Sequence, residues 1–254
     1  MAKTKVFLKP LIGLLLGLSF WGKSVAQVNV RDSLVSVFMF GASGGFNFPV
    51  GAFSDRVSLV YPVGGEVWYK FKKYVQIGAS GHFMFGERIK DTSFASNLLP
   101  IVGGDGSFPA ISATFQGAMF RGMVAGLLPL GKPNRNSGLM LMLTGGYTTT
   151  WYSLRTAGSL TPQLEPPYNK GYDRMSTGTV WSQMLGYQYL SNNRKINFYV
   201  GLEFHQAVLF HQRGFQYDVG ELPTDSRTDL YLGLRAAWLF PVYKRTNQSY
   251  IDFR

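Results

Sequence analysis

Ser80 and His82 stand two residues apart, as do Glu203 and His205, and in an extended chain that spacing puts each pair on one face. A hydroxyl beside an imidazole is the start of a nucleophile and base pair, and a carboxylate beside an imidazole is the orienting half of the same relay. The wider inventory for such chemistry is Ser80 or Ser182, one of His82, His205 and His211, and Glu66 or Glu203. In an exported protein that set would suit a hydrolase of lipid A or phospholipid. The competing reading is that the same polar groups fill a confined interior. Metal chemistry has less support, because the chain has only three histidines and no cysteine. GGDG at 103–106 lacks the following helix or repeated Asp ligands of a phosphate or Ca²⁺ loop, so it reads as a loop tip. We expect no metal and no cofactor.

The first 26 residues look like an export signal rather than part of a fold. Lys3, Lys5 and Lys9 precede an apolar run at 11–21, and Ser24, Val25 and Ala26 supply the small residues of a cleavage site before Gln27. That run is too short to cross roughly 30 Å of hydrocarbon as a helix. The segment holds four of the 25 basic residues and none of the 14 acidic ones, so the mature chain carries 21 − 14 = +7. Its charges are scattered, with KFKK at 70–73 and YKR at 243–245 the densest spots, and no nucleic-acid motif accompanies them. The absence of cysteine excludes disulfides, a thiol nucleophile and a lipid-modified cleavage site.

After the signal, period-two alternation recurs between turn-rich breaks, and no stretch is apolar for the 18 or so residues of a membrane helix. The pattern predicts about eight strands, at 33–48, 60–70, 74–85, 110–127, 139–152, 176–190, 196–210 and 227–243. The connections alternate between long and short. FKK, GKPNRNSG and SNNRK are tight, whereas 49–59, 86–109, 153–175 and 211–226 are extended. This is the signature of an up-and-down meander with one trimmed and one ornamented end, as in outer-membrane barrels.

The strand faces favour a membrane setting. One parity of the seventh strand reads Ile196, Phe198, Val200, Leu202, Phe204, and the other Asn197, Tyr199, Gly201, Glu203, His205. The last strand sets Leu230, Leu232, Leu234, Ala236, Trp238 and Phe240 against Asp229, Tyr231, Gly233, Arg235 and Ala237. The polar faces carry too few charges for a solvated exterior, and aromatic residues such as Tyr69, Tyr147, Trp151, Tyr187, Tyr189 and Trp238 fall toward strand ends. The expectation is an all-β, antiparallel, up-and-down transmembrane barrel over 27–243, between a signal at 1–26 and a tail at 244–254. The alternative is a soluble periplasmic ligand-binding barrel. The fourth strand fits poorly, because Arg121 shares a face with Phe115, Met119 and Met123, and a bulge near Gly117 or Gly122 would resolve it.

Eight strands leave room only for side chains, so the interior is expected to be a closed polar network. Parity assigns to it Glu66, Ser80, His82, Tyr199, Glu203, His205, Tyr231 and Arg235, with Lys70, Gln76, Thr144, Ser182 and Gln188. Symmetric pairing of the last two strands about Val219 would set Glu203 opposite Arg235, a structural ion pair. The remaining surface is the long loops, where Tyr168, Tyr172, Arg174, Arg213, Phe215 and Tyr217 are residue types that anchor interfaces. A partner protein or a surface glycan is expected there.

The signal ending Val-Ala-Gln, the GASGGFNFP stretch at 41–49, the Gly and aromatic-rich strands and the final Leu-x-Leu-x-Leu-x-Ala-x-Trp-x-Phe together resemble the small eight-stranded outer-membrane barrels of the OmpA-transmembrane-domain and OmpX-like group, in their Bacteroidota versions. The resemblance covers nearly all of the mature chain and is one of pattern. It implies an outer-membrane location with both ends in the periplasm, contact with outer-membrane lipid, and a role as anchor, adhesin, subunit of an envelope complex or, in a minority, lipid-modifying enzyme. The chain departs from the group at its end: Phe253 is followed by Arg254, so either Tyr243 or Phe253 is the assembly signal, and no peptidoglycan-binding domain follows.

Overall fold

The computed structural model describes residues 34–98, 101–131, 134–158, 160–192, 195–221 and 226–243, without the side chains of Arg88, Ser93 and Ala95. The expected signal, its cleavage site, the tail and Phe253 lie outside the described residues. Eight strands form the fold: β1 (Val37–Val50), β2 (Val60–Lys70), β3 (Val75–Arg88), β4 (Ala110–Pro129), β5 (Gly138–Ala157), β6 (Ser176–Leu190), β7 (Asn197–His211) and β8 (Ser226–Tyr243). Each pairs antiparallel with the next, and β8 pairs with β1 to close the sheet into a barrel. Closure leaves no strand as a free edge along the ring, although the outer ends of the longer strands extend past their neighbours. One short helix, α1 (Thr92–Leu98), lies in the β3–β4 connection. Among the described residues no helix is long and apolar enough to cross a membrane, which says nothing of strands.

The alternation read in the sequence sorts the side chains. Every strand carries large apolar side chains at outward positions, including Phe40, Val63, Ile77, Phe120, Leu141, Leu185, Leu202 and Phe240. Phe120 is 69% exposed and Leu202 60%. Inward positions alternate with them and are buried, and seven methionines are among them: Met39, Met84, Met119, Met123, Met140, Met142 and Met184. The unbranched thioether suits an irregular, narrow interior.

Two expectations about register are corrected. β4 has no bulge near Gly117 or Gly122, since its pairing with β5 is continuous from Ala110 to Pro129. Arg121 belongs inside together with Phe115, Met119 and Met123, all buried, and Ala118, Phe120, Gly122 and Val124 form the outward face. The irregularity instead lies at the outer end of β3, between Phe85 and Arg88. β5 also runs five residues past the expected end, which shortens the following connection to 158–175.

The interior is layered. At the short-turn end, where β1 begins and β8 ends, Lys70 Nζ donates to Asn136 Oδ1 at 3.1 Å and to the Lys73 carbonyl at 3.4 Å. Gln76 Nε2 reaches across the barrel to Gln188 Oε1 at 2.7 Å. Asn134 closes this end, its Nδ2 donating to the Leu190 carbonyl at 2.6 Å. At the long-loop end much of the filling is apolar. Phe53 from the β1–β2 loop and Phe94 and Leu98 from α1 drop onto Met84, Phe115, Met119, Tyr152, Val180, Leu209 and Tyr231. Polar filling persists beside it, where Asp229 is fully buried 3.0 Å from Arg227 Nε and Arg227 Nη2 donates to Thr150 Oγ1 at 2.9 Å.

Candidate functional site

Four charges from four strands meet in the middle layer. Arg121 Nη1 of β4 donates to Glu203 Oε1 of β7 at 2.6 Å, and Arg235 Nη2 of β8 donates to Glu66 Oε2 of β2 at 2.7 Å. Arg235 Nη1 links the two pairs, 3.4 Å from Glu203 Oε2. All four side chains are almost fully buried. Two cations and two anions cancel, which is the condition under which ionised groups are tolerated in a low-dielectric core. Neutral donors complete the shell. Ser182 Oγ donates to Glu203 Oε1 at 2.6 Å, Tyr199 Oη to Glu66 Oε2 at 2.7 Å, and Trp68 Nε1 to Glu66 Oε1 at 2.9 Å.

Glu203 and Arg235 are not directly opposite. Glu203 pairs with Gly233, and Arg235 with Gly201, a register two residues from the symmetric one, so Arg235 reaches Glu203 diagonally. The tight partner of Glu203 is Arg121, which lies on neither neighbouring strand but across the lumen. Of the other residues assigned to the interior, Tyr199, His205, Ser182 and Thr144 surround this cluster. Tyr231 points inward but sits at the boundary with the apolar plug, 4.9 Å from the Phe53 ring and 6.0 Å from His205, rather than in the hydrogen-bonded network.

The hydroxyl and imidazole groups do not assume the order a hydrolytic relay needs, in which the hydroxyl bonds the imidazole and the imidazole bonds the acid. Ser182 bonds Glu203 itself, while His205 Nε2 lies 3.3 Å from the other oxygen of the same carboxylate. Ser80 and His82 share a face but not a bond: among the described residues Ser80 Oγ has no hydrogen-bond partner, and His82 Nε2 pairs at 2.7 Å with Ser43 of β1. That contact spans β2 because Gly64, paired with both Ser43 and His82, has no side chain in the way. His82 Nδ1 has no partner to serve as the orienting acid. Among the described residues no group of three or more His, Cys, Asp or Glu is placed to hold a metal ion.

The long loops are tied together by arginines. Arg174 Nη1 binds Asp91 of the β3–β4 connection at 3.0 Å, its Nη2 and Nε bind Asp218 of the β7–β8 connection, and its guanidinium carbon lies 4.7 Å over the Phe94 ring. Arg174 is therefore a latch joining three connections rather than an exposed anchor. It holds a φ of 44°, a left-handed backbone conformation that these contacts sustain. Arg213 is forked onto Asp173, with Nε 2.9 Å from Oδ1, and that hydrogen bond raises the guanidinium pKa above its ordinary value. Tyr172 stacks edge-on to Tyr217 at 5.5 Å, and its phenol is shifted upward by burial and by the nearby Tyr217 and Asp218. Tyr168, Phe215 and Tyr217 are exposed.

Arg121, Ser43 and Trp68 are among the interior residues that sequence reasoning missed. A usable signal existed for the first, since Met119 and Met123 flank it on the parity that methionines share with polar residues on β5 and β6.

No family model matches the sequence, and no curated protein does. Among solved structures the chain is similar to Ail, the attachment invasion locus protein of Yersinia pestis, at 11% identity over 81% of this chain and 97% of that one, with a TM-score of 0.39. It is also similar to the N-terminal β-barrel domain of Pseudomonas aeruginosa OprF, at 10% identity over 80% and 97% with a TM-score of 0.36. The outer membrane protein OprG from Pseudomonas aeruginosa aligns at 8% identity over 85% of this chain and 100% of that one, with a TM-score of 0.37.

Proposed function

We propose that this chain is an integral barrel of the outer membrane, closed to solute flow, that serves the envelope as a structural or accessory subunit through its outer loops or its lipid-facing wall. The observation that carries the reading is the wall. Large apolar side chains point outward on all eight strands, while the charged residues of the middle layer point inward. A soluble monomer rarely exposes a contiguous apolar patch above a few hundred Å². An apolar belt around a polar filling is what hydrocarbon surroundings require. On this reading the trimmed end, where β1 starts and β8 finishes, faces the periplasm, and the ornamented end faces outward. On the same reading the lumen is closed and the protein's work is done on its surface.

Phase separation in a cloud-point detergent tests the placement. The folded barrel is expected in the detergent phase and in the outer-membrane fraction of cells. Recovery of folded protein in the aqueous phase would overturn it. Lipid A mass spectra from cells with and without the gene are expected to be identical, and a gene-dependent loss of an acyl chain would instead make it a lipid-modifying enzyme. Pull-down from gently solubilised outer membrane is the direct search for an envelope partner.

A further inference from the structure

A polar side chain interrupts the outward face halfway up the wall. Gln183 is the central residue of β6 and is exposed, while its neighbour Ser182 reaches inward to Glu203 of the charged layer. Gln183 therefore stands on the outside at the level of that layer. Its outward neighbours are apolar. Leu143 of β5 and Phe204 of β7 flank it in the ladder, and Leu185, the next outward residue of β6, lies between Leu141 and Leu202. These four leucines are 55% to 60% exposed, so the chain itself gives Gln183 no shelter from its surroundings.

The amide of Gln183 is only half satisfied. Trp181 Nε1 donates to Gln206 Oε1 at 2.5 Å, and Gln206 Nε2 donates to Gln183 Oε1 at 3.5 Å, so a chain of hydrogen bonds runs along the outside of β6 and β7 toward mid-height. It stops at Gln183, whose Nε2 carries two hydrogens and has no acceptor among the described residues. On a water-facing wall those hydrogens would go to solvent. On a lipid-facing wall they have nowhere to go, because hydrocarbon accepts no hydrogen bond and an unpaired amide there is strongly disfavoured.

We infer that the wall around Gln183 is an interface within the membrane and that its occupant is a second copy of this chain. Copies inserted in the same direction hold Gln183 at the same depth, so a two-fold axis along the membrane normal beside β6 sets the two amides against each other. A primary amide is complementary to itself. Each Nε2 donates to the other copy's Oε1, which keeps a second lone pair after accepting from Gln206. The pair gives both half-satisfied amides a partner with no third component. Leu143, Leu185 and Leu202 supply the apolar surface around it, and Trp181 is of a type that anchors interfaces. Gly145, opposite Trp181 in the ladder, leaves open space that a side chain of the second copy can enter. The inference deepens the proposed function by naming a partner for the lipid-facing wall, and it rests on that membrane placement.

Sedimentation equilibrium of the refolded full-length barrel in density-matched detergent micelles, at falling ratios of detergent to protein, measures the association. Wild type is expected to pass reversibly from monomer to dimer. Gln183→Leu takes a polar group off an apolar face, so it is expected to fold as well as wild type and to weaken the dimer roughly tenfold through the loss of two interchain hydrogen bonds. A wild type that stays monomeric at every ratio, or a Gln183→Leu dimer as tight as wild type, would overturn the inference. The chain has no cysteine, so Gln183→Cys and Val67→Cys place single thiols on outward positions four strands apart on the ring. Oxidation in isolated outer membranes is expected to link Gln183→Cys into a product of twice the chain mass and to leave Val67→Cys unlinked. No linked pair from Gln183→Cys, or equal yields from both positions, would also overturn the inference. So would linkage of Gln183→Cys to a protein of another mass, which would give the surface to a different occupant. The membrane placement fails separately. Folded protein in the aqueous phase would remove it, and on a water-facing wall Gln183→Leu would strengthen association, whereas a monomer in the detergent phase sinks the dimer alone.

Discussion

Deleting one carboxylate from the middle layer should unbalance it, and deleting its partner as well should restore it. Glu203 is the acceptor for Arg121 at 2.6 Å and Ser182 at 2.6 Å, and its second oxygen lies 3.4 Å from Arg235. Glu203→Ala leaves two guanidinium groups against Glu66 alone. Arg235 keeps its 2.7 Å bond to Glu66, so the deficit falls on Arg121, which is left with the Thr144 and Ser182 hydroxyls and the His205 ring. Leaving a buried charge uncompensated costs about 3–5 kcal/mol. Arg121→Met strands Glu203 with the longer Arg235 contact and a serine hydroxyl, at a cost of about 3 kcal/mol on the same reasoning. The double variant Arg121→Met, Glu203→Ala removes both charges and leaves the Arg235 and Glu66 pair neutral in sum. Its cost should be about 0–2 kcal/mol, well below the sum of the singles, with a coupling of at least ~2 kcal/mol. Urea titration of the barrel in lipid vesicles, followed by tryptophan fluorescence and by the heat-dependent shift in gel mobility, measures all four corners of the cycle. Single costs that add to within ~0.5 kcal/mol would show that the residues act independently and would refute the balanced cluster.

The outward face gives a test of opposite sign for the two possible surroundings. Phe120→Lys should destabilise the barrel in vesicles by about 2–4 kcal/mol, because Phe120 is 69% exposed on the apolar belt; a gain in stability would indicate a water-facing wall. Arg174→Gln removes the bonds to Asp91 and Asp218, so the long connections should be cut faster by trypsin while the vesicle unfolding midpoint stays in place. A drop in that midpoint as large as that of Glu203→Ala would make the latch part of the barrel's cooperative core. Gly64→Ala should cost about 1–3 kcal/mol, since an added Cβ would lie 2.0 Å from the Gly81 carbonyl oxygen and 2.7 Å from the His82 Cα, between Ser43 and its imidazole partner. Wild-type stability for this variant in the same urea titration would mean that β2 and β3 are spaced more loosely than the structure has them.

The barrel was legible because alternation, turn chemistry and connection length all point the same way. Leu202 and Glu203 cannot share a face in a strand, and once one faces outward the parity of every residue in β7 follows. The tight FKK, GKPNRNSG and SNNRK connections fix which strands are neighbours. Register was less legible. The β7–β8 loop is long, so nothing local fixes where the pairing begins, and the symmetric guess missed by two residues. A shift of two preserves parity, and this is why the faces were read correctly while the opposite pairs were not. β5 overran its expected end because the 153–157 stretch is polar and unalternating, and its strand geometry is imposed by β4 rather than by its own sequence.

The charged cluster was harder still, because its contacts join strands that no sequence rule connects. Arg121 and Glu203 are 82 residues apart and lie three strands from each other around the ring, so their meeting depends on barrel diameter and stagger. Parity can bring a side chain into the lumen, but only closure decides whom it meets there. The same closure explains why the filling changes along the axis. The outer layer borrows Phe53, Phe94 and Leu98 from connections that strand alternation never describes, and these cover the inward ends of β3, β4 and β6 with apolar surface. With that cap at one end and the Asn134, Asn136 and Lys70 seal at the other, the four charges are enclosed between two packed layers. Enclosed charges that balance one another hold strands together.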